Sequence, residues 1–256
     1  MKPLMSKIFL GLALMFVCLS AAGQKLYTRK ARLEDFPTRT LKVVAGGNSL
    51  LELSVRDEIA SRWRISPFEF CTNEEYEELR EDNSYYFMQL GTVEGIAFLI
   101  LTKGGKEDES DNLKKPFEVV RIPIASIGNP DGRELMYMGA FIDIIQAFVE
   151  EAMISDQAAY SGLSWYNSRK LTGMKVLVNT EETDAAYHEG TPGTAVGIII
   201  APTAISFNSF CYKMLISADT HELYYFSKTK YKGSKDALFS KSEIRQFERR
   251  NGIIPL

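Results

Sequence analysis

Two uninterrupted apolar runs, residues 96–101 (IAFLIL) and 195–201 (AVGIIIA), set the strongest limit on how this chain can fold. A strand that is apolar at consecutive positions has no face to give to water, so it must be covered on both sides. Helices are the natural covers, and the chain supplies one of unusual quality. Met138, Phe141, Ile142, Ile145, Phe148, Val149 and Ala152 recur at helical spacing, and the segment from Asp131 to about Ser155 is predicted to be a long packing helix. Asp143, Gln146 and Glu150 lie largely off that stripe.

The remaining elements fall into two series. In the first, residues 24–40, polar and broken by Pro37, read as an extended lead-in arm and residues 41–45 (LKVVA) as a short strand ending at Gly46-Gly47. Ser49-Leu50-Leu51-Glu52 has the spacing of a capping box, in which hydroxyl and carboxylate satisfy each other's orphan amides, so a helix is predicted over about 50–63. Pro67 stops it. A strand at 68–71, a second box at Thr72-Asn73-Glu74-Glu75 with a short acidic helix, and a hairpin of strands 84–90 and 96–101 complete this series. Residues 102–115 (TKGGKEDESDNLKK) read as a solvated loop. The second series begins with a strand at 117–124 and the long helix. It continues through an aromatic segment at 160–166, a strand at 174–178, a short polar piece at 181–188 and the strand 195–201. A hairpin of 210–217 and 222–227 turns at Ala218-Asp219-Thr220-His221. Ser240-Lys241-Ser242-Glu243 is a third box, opening a last helix that Asn251-Gly252 stops.

Parallel strand–helix–strand pieces joined to antiparallel hairpins imply a mixed parallel/antiparallel sheet with covering helices, hence an α/β protein. The two series share an order and read as two βαβα-ββ-like halves, residues 24–115 and 116–256, either separate or one continuous domain. That shared order suggests a diverged duplication.

Residues 1–23 stand outside this scheme. Lys2 and Lys7 precede an apolar run at 8–19, and Ala21-Ala22-Gly23 follows it, which predicts a signal peptide cut before Gln24. The run is short for a membrane span, and Val17 before Cys18 does not fit a lipidation box. The expectation is an exported chain, not membrane-spanning after cleavage, in a bacterial periplasm or outside the cell. No Asn-x-Ser/Thr sequon occurs. Cleavage removes two lysines and no acid, taking the net charge from −3 to −5. Apart from Arg245, Arg249 and Arg250, the basic residues are spread along the chain, which argues against nucleic acid as a partner. Cys71 and Cys211 would then be the only cysteines, open either to one bridge or to two buried thiols.

In element order, residues 41–101 and 117–227 resemble periplasmic α/β domains such as that of the curli secretion channel and the N-terminal domain of the Tol-system propeller protein. KVVAGGNSLLELSVRDEIA stands where those families place a first strand and helix. The resemblance implies a non-catalytic envelope module that contacts other proteins; the chain lacks a propeller and pore-forming segments.

Candidate chemistry is sparse. Gly46, Gly47, Asn48 and Ser49 lie where a strand meets a helix amino end, a place that can hold an anion, but the pattern is neither of the glycine-rich phosphate fingerprints. His188 and His221 are the only histidines, and neither belongs to a zinc motif; no metal or cofactor is implied. No G-x-S-x-G is present, and Glu107, Asp108, Glu109 and Asp111 lack the spacing of a calcium loop. Tyr160, Trp165 and Tyr166 are the candidate contact residues, since Trp and Tyr join apolar area to a polar handle. The reading that results is an exported, non-enzymatic protein that binds an envelope protein or glycan. Its alternatives are a hydrolase with a site near residues 46–49 and 129–131, and a glycan or small-molecule binder.

Overall fold

The computed structural model describes residues 28–105 and 117–252, so the signal-peptide reading and the acidic cluster at 107–111 lie outside the described residues. The chain is mixed α/β. The strands are β1 Thr40–Val44, β2 Phe68–Cys71, β3 Tyr85–Val93, β4 Ile96–Lys103, β5 Phe117–Ser126, β6 Lys175–Leu177, β7 Thr194–Ile200, β8 Phe210–Ser217 and β9 Leu223–Lys230. The helices are α1 Leu50–Arg62, α2 Asn73–Leu79, α3 Arg133–Met136, α4 Met138–Ile154, α5 Asp156–Ser161, α6 Glu182–His188 and α7 Lys241–Arg250. One sheet has five strands in the order β2-β1-β3-β4-β5 and the other has four, β6-β7-β8-β9. No helix among the described residues is long and apolar enough to cross a membrane.

All three capping boxes form, at Ser49/Glu52, Thr72/Glu75 and Ser240/Glu243, each with both reciprocal bonds. The long helix differs from its prediction. Gly132, in the left-handed region at φ 83°, is the residue before α3, and Asp131 accepts from the Arg133 amide instead of capping. A break at Tyr137 then separates α3 from α4. The lead-in arm also departs from an extended form. Residues 31–33 and 36–38 are 3₁₀ turns that drive Leu33 and Phe36 into the core, and Asp35 there accepts bonds from the Tyr86 hydroxyl (2.7 Å) and the Lys103 ammonium (2.7 Å).

The first sheet starts as a parallel trio, with β1 between β2 and β3, and α1 and α2 on opposite faces. Val55 and Ile59 of α1 pack on the face carrying Leu41 and Val43. Tyr76 and Leu79 of α2 pack on the face carrying Val44 and Phe87. The edge beyond β3 is antiparallel, through β4 to β5. In the second sheet β6 and β7 are parallel, and β8 and β9 follow antiparallel. Thus β1-β3-β4-β5 followed by α4 matches β6-β7-β8-β9 followed by α7 in pairing, with β2 and α2 added at one edge. Strand β5, which stands in sequence at the head of the second series, pairs back antiparallel onto β4 and buries Val120, Ile122 and Ile124.

One main core draws on both sheets and on α4. Met138, Ala140, Phe141, Ile142, Ile144, Ile145, Phe148, Val149 and Ala152 are all at most 1 % exposed, so the helix is buried nearly all round. That is why Gln146, on its polar side by sequence, is also buried. It satisfies itself by accepting from the Arg64 amide and donating to the Arg62 carbonyl. The other face of the second sheet carries Ala195, Leu215 and Tyr225, closed by Phe239 and by Phe247 of α7. Cys71 and Cys211 are both buried free thiols, one in each sheet.

Candidate functional site

A recess of about 790 Å3 lies where β4 and β5 of the first sheet face β8, β9 and the segment 159–164. Its walls carry five rings, from Phe98, Tyr160, Phe210, Tyr212 and Phe226. Phe98 meets Tyr212 edge-on at 5.4 Å, and Tyr212 lies 6.3 Å from Phe226. Antiparallel pairing sets Tyr212 opposite Lys228 and Phe210 opposite Lys230, so each ring shares a face with a lysine. The Lys228 ammonium stands 4.2 Å from the Phe210 centroid and 5.8 Å from that of Tyr212, a cation over π-faces. Arg121, paired with Glu118, lies 5.6 Å from the Phe98 ring, and Arg29 lies 6.0 Å from that of Tyr160. Lys228 forms no ion pair among the described residues, so its positive charge stands in this wall without an acid.

The three aromatic candidates do not act together. Tyr160 is 62 % exposed and lines the recess. Trp165 is half-buried against the main core, and Tyr166 is wholly buried, its hydroxyl without a hydrogen-bond partner among the described residues and the Arg169 guanidinium over its ring. The Asn167 side chain bonds both the amide and the carbonyl of Phe226, which fixes this segment against β9.

The turn at Gly46, Gly47, Asn48 and Ser49 does form between strand and helix, but the Gly47 and Ser49 donors are in use. The Glu52 carboxylate accepts from the Gly47 amide (3.2 Å), the Ser49 amide (3.3 Å) and the Ser49 hydroxyl (2.6 Å), so the chain supplies its own anion there. These bonds hold the Glu52 carboxyl below the usual range, with Ser49 the main cause. Asn129 and Asp131 line a separate recess of about 460 Å3 beside Asn179 and Thr180, which holds neither histidine nor cysteine.

A third place was not legible in sequence. His221 Nδ1 lies 2.7 Å from Asp143 Oδ2, which also accepts from Arg62 (3.0 Å), while His221 Nε2 lies 3.3 Å from the Tyr187 hydroxyl. The Tyr187 and His221 rings stack at 5.5 Å. Both histidines line one shallow recess of about 380 Å3, with Glu58, Arg62 and Asp219. Gly139 makes the approach possible, because a Cβ there would stand 2.7 Å from Arg62 Nε. His221 adopts φ 60°, costly for a residue with a Cβ. A carboxylate orienting a histidine is half of a hydrolytic triad, but among the described residues no serine or cysteine nucleophile stands at Nε2. Nε2 faces a buried phenol whose pKa is pushed up to about 12, chiefly by burial, and the nearby Ser217 hydroxyl donates to Asp219 instead. The thiols are no better placed as nucleophiles. Burial raises the pKa of Cys71, and that of Cys211 to about 11, which suppresses the reactive thiolate.

Comparison with protein-family models, curated proteins and solved structures gives no match.

Proposed function

We propose that this chain works by binding, in the cell envelope, and that the recess between the two sheets takes the bound component. The observation that carries this reading is the Lys228 ammonium over the rings of Phe210 and Tyr212 along one wall, opposite Phe98 and Tyr160. Apolar rings with a few placed polar groups are the usual lining of a ligand site, and a volume of about 790 Å3 falls in the range of such sites. The uncompensated Lys228 favours a component that presents an anionic group beside an apolar face, whether from a protein or a glycan. Export rests on the composition of residues 1–23, and the element-order likeness to envelope modules points the same way.

A second reading, catalysis, draws on one observation: His221, oriented by Asp143, shares a recess with His188 and Glu58. One experiment separates the two. The immobilised protein and its variants are incubated with envelope extract, and the retained components are identified by mass spectrometry. Binding in the recess predicts a component lost from Tyr160→Ala and Lys228→Glu but retained by His188→Ala and His221→Ala. Hydrolytic turnover that disappears in a folded His221→Ala variant would favour catalysis instead.

A further inference from the structure

The connection between β7 and β8 presents two apolar side chains to water on a well-anchored frame. Phe207 is 89 % exposed and Ile205 62 %. The loop carrying them is not slack. Ser209, buried, accepts from the Ser206 amide (2.8 Å) and donates to the Ala204 carbonyl (3.2 Å). The Ser206 hydroxyl reaches Glu94 (3.0 Å), and Lys230 donates to the Phe207 carbonyl. Ordering a loop so that its ring faces solvent costs conformational entropy and returns no burial of that ring among the described residues. The return must come from something outside it.

Charge indicates what that is. Lys230 lies 4.8 Å from the Phe207 ring and 4.8 Å from that of Phe210, Lys228 stands one rung further along β9, and Lys232 follows. Lys228, Lys230 and Lys232 have no salt bridge to an acid among the described residues; Glu94 accepts from the Ser206 hydroxyl, and Asp236 from the Lys232 backbone amide. In a chain whose net charge is −3, the tip is a local reversal of sign. We infer that the Ile205–Phe207 tip, with the Lys228 and Lys230 ladder behind it, docks the protein on the surface of an anionic phospholipid bilayer, the ring and the isoleucine entering the headgroup boundary and the ammonium groups meeting phosphates. A ring that is almost wholly solvated projects from the surface. Such a projection suits a deformable phase that closes around it, whereas a protein partner would need a broad complementary face of about 800 Å2 on each side. Anionic headgroups attract each nearby lysine by an amount equivalent to about fivefold in partitioning.

This inference does not depend on the recess holding a ligand: Ile205, Phe207 and Lys230 do not line it, and Lys228, which does, is left unchanged in the test. The test places the probe at the tip. Phe207→Trp is made in the full chain, and its emission is followed on adding vesicles of phosphatidylcholine alone or mixed with phosphatidylglycerol. Emission shifts to shorter wavelength with the mixed vesicles only, the shift is lost at high salt, and adding Lys230→Glu to the Phe207→Trp chain weakens its partitioning by at least about fivefold. Circular dichroism checks that the variants keep the fold. A shift of equal size with both vesicles, or no shift with either, overturns the inference. No shift together with Phe207-dependent association in light scattering would assign the tip to a protein contact instead.

Discussion

His221 Nδ1 and Asp143 Oδ2 are 2.7 Å apart although 78 positions separate them in the chain, and the contact fastens the β8–β9 turn to the central helix α4. His221 holds φ 60°, where a Cβ is strained and glycine is not. The bond and the backbone can therefore be separated. His221→Ala loses the bond and keeps the strain, whereas His221→Gly loses the bond and relieves it. We expect His221→Ala to lower stability by about 1–3 kcal/mol and His221→Gly by about 1 kcal/mol less. Urea midpoints of the two variants check this, and equal midpoints would show that the turn is unstrained.

Glu243 joins α7 to the second sheet. It accepts from the Ser240 amide and hydroxyl, from Tyr225, and from Lys213 at 2.9 Å, in a pair whose side chains are only 13 % and 5 % exposed. Burial alone would raise its pKa, but the Ser240 and Lys213 donors outweigh it and the carboxyl sits below its usual value. A carboxyl depressed in the folded state stabilises the fold above its unfolded pKa of about 4.3 and loses that contribution as pH falls through the lower, folded value. Glu243→Gln leaves Lys213 buried without its partner and is expected to cost about 3 kcal/mol at neutral pH. The deficit relative to wild type narrows on acidification below about pH 4, as stability measured against pH will show.

Tyr160 and Tyr166 are six residues apart and have opposite environments. Tyr160→Ala removes an exposed ring and is expected to change stability by less than about 0.5 kcal/mol. Tyr166→Ala opens a cavity in the core and is expected to cost about 3 kcal/mol or more. Thermal melts distinguish them. A double change at Trp165 and Tyr166 would therefore report on folding before it reported on any partner.

Cys71 and Cys211 lie in different sheets as buried free thiols. Reductant is expected to leave the melting temperature unchanged. Cys71→Ala with Cys211→Ala is expected to yield soluble protein at a cost of about 1–2 kcal/mol for each lost thiol. A reductant-dependent melt would show a bridge instead.

What the sequence determined by itself is local. The three boxes at Ser49, Thr72 and Ser240 form because each needs only residues within one helical turn, and Gly252 ends the last helix where it stands, while the first ends at Arg62, before Pro67 is reached. The runs IAFLIL and AVGIIIA become β4 and β7, and Phe141, Ile145, Phe148 and Ala152 are buried as their spacing requires. The lysine ladder was partly within reach: once 210–217 and 222–227 are paired across their turn, F-x-Y meets K-x-K on one face. The rest belongs to tertiary structure. Periodicity gives which face of an element is apolar but not which sheet it joins, so only the fold could place β5 against β4 and wedge α4 between two sheets. The same limit hid the Asp143–His221 contact and the recess at Phe98 and Tyr212. Each depends on side chains from distant segments meeting in space, and a carboxylate or a ring in sequence carries no mark of the partner it will meet.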